Sequence, residues 1–179
     1  MNVNSRDGTL KTAGRDLSAP LSNVAIVAAE DLADEFSQHF PDGRSPLDQF
    51  PASEWIRRFR EVGYFHHHSG WTWQGEGANR VPVARHTWMT FDEPAEHTVV
   101  YRLAMSGFER RISWTDEPDF ARTFGPEIMG YHHTTERLWC AVVPRSAVLA
   151  LITVERRAGG TYTEYIIDTT NLPISRVGS

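Results

Sequence analysis

The chain changes hydrophobic period part-way along, and that change restricts its fold more than any other feature. Up to Gly63 the apolar residues recur every three to four positions, while beyond Val81 they alternate or run together. Ser22 to His39 carries Val24, Val27, Ala28, Leu32 and Phe36 at helical spacing, with Glu30, Asp31, Asp34 and Glu35 between them. That pattern predicts an amphipathic helix, closed by the turn residues Phe40-Pro41-Asp42-Gly43. Pro51 to Val62 predicts a second helix, with Trp55, Ile56, Phe59 and Val62 inward and Gly63 just past its end. Residues 64–80 hold three glycines and two tryptophans without periodicity and predict a loop or irregular edge. Strands are expected where Val81, Val83 and Arg85 alternate, and over 97–104, 138–143, 149–155 and 161–168. The last two are joined by Arg156-Arg157-Ala158-Gly159-Gly160, a hairpin connection. Thr115-Asp116-Glu117-Pro118 starts a short helix that stops at Gly125. Helices first, then mostly strands, is α+β.

With 40% hydrophobic and 11% aromatic residues among 179, the chain can close a core without covalent staples. A net charge of −5 speaks against a nucleic-acid binder that works by bulk electrostatics. Cys140 is the single cysteine, so neither an intrachain disulfide nor a multi-cysteine zinc framework can form. Residues 1–7 have no apolar core of a signal peptide, and no stretch approaches 18 apolar residues. The expectation is a cytoplasmic chain that does not enter a membrane. Residues 1–20 are polar, and the expected division is an arm with its helix over 1–45 and a domain over 46–179.

Several residue sets carry possible chemistry. His66, His67 and His68, with His132 and His133, suggest a metal, but no HExxH motif or spaced carboxylate accompanies them. They are expected to be solvated, with no metal bound. No GxSxG motif is present for a serine hydrolase, and Cys140 sits mid-strand as a buried, inert thiol. The glycines Gly70, Gly75 and Gly77 follow no apolar strand and open no helix, so they make a poor phosphate cradle. Arg102, Ser113 and Glu164 are more informative. Arg102 is a charge inside the apolar strand Val99-Val100-Tyr101-Arg102-Leu103, and Glu164 is the one acid in Thr161–Ile167. Such charges are costly to bury unless they are paired or functional. Each therefore stands either for a core ion pair or for a site.

Val100-Tyr101-Arg102, then Ile112-Ser113-Trp114-Thr115 with Ala121-Arg122-Thr123-Phe124, then Glu164, resembles the bacterial and phage ADP-ribosyltransferase-like family in its Arg-Ser-Glu class. Trp55 to Tyr64 and Val143 to Ala150 extend the resemblance, which covers residues 52–172. It implies two packed, mostly antiparallel β-sheets around an NAD cleft, with the N-terminal helices outside. It implies a toxin or phage effector whose activity is NAD-dependent mono-ADP-ribosyl transfer, or NAD hydrolysis. In the family pattern Arg102 holds the NAD phosphates, Ser113 shapes the nicotinamide pocket and positions the glutamate, and Glu164 stabilises the oxocarbenium-like transition state. Trp114 or Phe124 would stack near nicotinamide, and Thr115 and Tyr162 would line the same pocket. Arg102 and Glu164 are then expected to open into one cleft with Ser113 at its wall. The chain departs from the family in reading Ser113-Trp114-Thr115 rather than Ser-Thr-Ser. It also has Tyr162 where many members carry Glu or Gln to select the acceptor. The acceptor is therefore open, as is a catalytically inactive interaction module of the same fold. A neutralising or target protein could dock on the N-terminal helix.

Overall fold

A computed structural model of the chain describes residues 23–37, 50–76, 79–122, 135–155 and 160–178. Two helices, α1 (Asn23–Ser37) and α2 (Ala52–Val62), precede eight strands. These are β1 (Phe65–Gln74), β2 (Val81–Thr90), β3 (His97–Ala104), β4 (Ser113–Thr115), β5 (Arg137–Pro144), β6 (Val148–Glu155), β7 (Thr161–Ile167) and β8 (Ile174–Arg176). Residues 118–122 are also helical. The fold is α+β.

The strands form one mixed sheet in the order β2-β1-β6-β7-β4-β3-β5-β8. Among the described residues only β1 and β6 run parallel. This corrects the expectation of two separate packed sheets. The joint is β4, which pairs with β7 at three positions but with β3 only through Tyr101 and Thr115. A four-stranded half and a three-stranded half therefore meet at one three-residue strand.

The helices cover one face of the four-stranded half. Trp55, Phe59 and Phe65 are fully buried with Ile152 and Ile166, and Phe36 meets Trp55 edge-on at 5.4 Å between centroids. Arg58 binds Glu35 and lies 4.9 Å over the Trp55 ring, fastening α2 to α1. The buried stripe of α1 is Ala29, Leu32, Ala33 and Phe36, whereas Val27 is exposed. The inward stripe expected through Val27 and Ala28 is thus corrected by about one position, because the small alanines carried the true 3.6-residue period. That stripe is covered by α2 and the sheet, so α1 packs onto the body of the fold. Gly63 ends α2 at φ 92°, with its N–H donating to the Phe59 carbonyl.

Residues 64–80 are corrected as well, since most of them form β1 between β2 and β6. Phe65, His67 and Ser69 are buried, while His66 and His68 face the other way. The period is two, but polar side chains at its inward positions hide it. A second core gathers Val100, Trp114, Ala141, Val143, Leu151 and Ile167 on the opposite face of the sheet. Among the described residues no helix is long and apolar enough to cross a membrane.

Candidate functional site

Ser113 sits where the two halves of the sheet join, and it ties together the charges expected to matter. Its hydroxyl donates to the Glu164 carboxylate. Its backbone carbonyl accepts from Arg102 Nη1 at 2.5 Å. Three residues spread over 63 positions of sequence therefore form one chain of contacts, with Ser113 in the middle. Ser113 is buried, and its register partner across β4 and β7 is Ile166, one turn of the pleat from Glu164.

Arg102 is under-satisfied. Its Nε is sealed from solvent and has no hydrogen-bond partner. Burial first, then repulsion from Arg111, pushes its guanidinium down to about 10, against the pull of Glu164. A buried guanidinium with an open donor is costly unless something completes it.

The register also separates what the sequence had put together. Tyr101 pairs with Thr115, and Thr115 with Glu164, so these three share a face of the sheet. Arg102, next along β3, leaves on the other face opposite Trp139. The expectation that Arg102 and Glu164 open into one cleft is therefore corrected. What links them is Ser113, whose backbone carbonyl accepts from Arg102 and whose hydroxyl donates to Glu164. The reason is local, since β3 and β4 share a single bridge and the Arg102 side chain turns in to the Ser113 carbonyl.

The other expected residues divide. Trp114 is buried in the second core, its Nε1 donating to the Arg111 carbonyl at 2.7 Å, and is not placed to stack on a ligand beside Glu164. Thr115 is buried at the end of β4 and its Oγ1 accepts the Glu117 N–H at 3.2 Å. The helical turn at 118–122 opens on Glu117, whose carbonyl accepts the Ala121 N–H, so the cap expected at Thr115 lies two residues ahead of the observed start. Tyr162 lies two residues before Glu164 on the same face and stacks on Phe120 at 4.6 Å. Phe120 carries no separate signal in the sequence beyond being an aromatic in the short helix that follows Thr115-Asp116-Glu117-Pro118. Phe124 lies outside the described residues, as do His132 and His133. Cys140 is half-buried and has no partner thiol in the chain.

The histidines are neither in a loop nor all solvated. His66 and His68 stack at 3.8 Å, His68 stacks on Trp88 at 4.9 Å, and Trp88 on His86 at 5.1 Å. His66 Nε2 meets Thr153 Oγ1 at 2.8 Å and His68 Nε2 meets Thr90 Oγ1 at 3.3 Å. Gly70 keeps the floor of this row flat, because a Cβ there would stand 3.0 Å from Glu155 Oε2 and 3.1 Å from His86 Nε2. No group of three or more His, Cys, Asp and Glu among the described residues could hold a metal ion.

Compared with known protein families, with curated proteins and with solved structures, the chain finds no match.

Proposed function

We propose that this protein binds NAD⁺ as substrate and cleaves its nicotinamide–ribose bond, passing ADP-ribose to an acceptor or to water. The observation that carries the reading is Ser113, which accepts from Arg102 and donates to Glu164. The chemistry suits these groups. As the C–N bond breaks, its electron pair leaves with nicotinamide and positive charge grows on the ribose. A carboxylate already held by the Ser113 hydroxyl opposes that charge as it appears. The acceptor, or water, then bonds to C1′ and gives up a proton. Phe120 and Tyr162 offer an aromatic wall on the Glu164 face. The open Nε of Arg102 is a donor that a phosphate oxygen could complete, provided the side chain swings toward the ligand.

A second reading has its own observation. Arg102 leaves β3 on the face away from Glu164, so the Arg102–Ser113–Glu164 contacts would serve as an internal tie that fixes β4. The protein would then be an interaction module that turns nothing over. Nicotinamide release measured alongside calorimetry with NAD⁺ separates the two. Release that is lost on Glu164→Gln supports the enzyme. NAD⁺ that neither binds nor is cleaved, with any acceptor offered, removes that reading.

A further inference from the structure

The two edges of the sheet are unequal. On one side the last strand is β8, three residues long, too short to template another chain. On the other side β2 presents ten residues with no neighbour beyond it among the described residues. Four large apolar side chains are exposed on it or immediately after it: Val81 at 54%, Val83 at 52%, Trp88 at 45% and Phe91 at 39%. A long apolar edge strand turns a row of backbone N–H and C=O groups outward and invites another strand.

We propose that β2 pairs antiparallel with β2 of a second copy of this chain, making one sixteen-stranded sheet about a two-fold axis at Thr87. The register follows from the strand itself. The β1–β2 ladder steps from Thr72↔Ala84 to Trp73↔Pro82, leaving Val83 as a bulge. The regular part of β2 is therefore 84–90, and its midpoint is Thr87. A dyad there sets Thr87 against its own copy, His86 against Trp88, Arg85 against Met89 and Ala84 against Thr90. Each pair lies on one face of the joined sheet, and none opposes two arginines. A dyad two residues earlier would set Arg85 against Arg85, which like-charge repulsion disfavours. The His66–His68–Trp88–His86 row would continue across the dyad through the His86–Trp88 pairs. The bulge brings Val83 beside the partner's Phe91 at each end. This inference does not depend on the NAD⁺ reading.

Sedimentation of the full chain at pH 8 over a range of micromolar concentrations should show a reversible monomer–dimer equilibrium. Thr87 is exposed, so Thr87→Arg should leave the fold intact by circular dichroism while placing like charges on the dyad, weakening the dimer at least about tenfold. In a Cys140→Ser background, Thr87→Cys should cross-link two copies on mild oxidation, because directly opposed strand residues fall within disulfide reach. Arg85→Cys, off the axis, should cross-link far less. A chain that stays monomeric throughout, a dimer that Thr87→Arg leaves unchanged, or equal cross-linking at both positions would overturn the proposal. A monomer that instead captures an extended peptide along β2 would overturn it too.

Discussion

Acid should destabilise this protein well above the pH at which its carboxylates titrate. Burial, aided by repulsion from His68, pushes His66 down from 6.5 to about 4. Burial lowers His67 and His68 as well. A folded imidazole with a depressed pKa means that the unfolded chain takes up the proton first. The stability tied to it is therefore complete above about pH 6.5 and drains as the pH falls toward 4. For His66 alone the full linkage at pH 5 would be about 2 kcal/mol. His66 is only half-buried, so solvent screening reduces this to about 1 kcal/mol. Glu35 and Glu155 have carboxyls held low, chiefly by the Arg58 hydrogen bond and the Trp71 N–H respectively. Their contribution is present above 4.5 and lost only below it, so the interval from 6.5 to 5 belongs to the imidazoles. The assay is urea unfolding at pH 7.5, 6.5, 5.5 and 5.0 for the parent and His66→Asn. The parent should lose about 1 kcal/mol or more across the series, and the variant should show a visibly shallower slope. A flat parent profile, or parallel slopes for the two proteins, would refute the argument.

The remaining expectations are shorter. Glu164→Gln should lower nicotinamide release by about 10²–10⁴ with little change in NAD⁺ affinity, since the charge it opposes is scarcely developed in the ground state. Arg102→Lys keeps a charge but loses the planar fork, so steady-state kinetics should show a raised KM with a smaller fall in kcat. Ser113→Ala removes the hydroxyl that holds Glu164 and should lower kcat while calorimetric NAD⁺ binding stays near the parent value. Phe59→Ala empties a fully buried site between Phe36, Trp55 and Phe65, and denaturant unfolding should record a loss of about 3–5 kcal/mol.

Where the sequence was legible, the hydrophobic pattern had one strong signal per element. Trp55 and Phe59 announced α2, and the β-branched runs announced β3, β6 and β7 nearly to the residue. Where it was not, the inward positions were small or polar. Ala29 and Ala33 made the true stripe of α1 hard to see, and His67 and Ser69 hid the strand period of β1. The missed strands β4 and β8 are three residues each, below the length at which alternation can be read. The candidate site shows the same divide at finer scale. That Arg102, Ser113 and Glu164 belong together was visible, because unpaired charges in apolar strands must find partners. Which faces they take was not visible, because a face depends on the register between strands distant in sequence. A single bridge, Tyr101 to Thr115, sets that register here. Shifting β4 by one residue against β3 would exchange the faces and bring Arg102 to the side of Glu164. The three-residue length of β4 is thus the physical reason that the faces taken by Arg102 and Glu164 could not be read from the sequence.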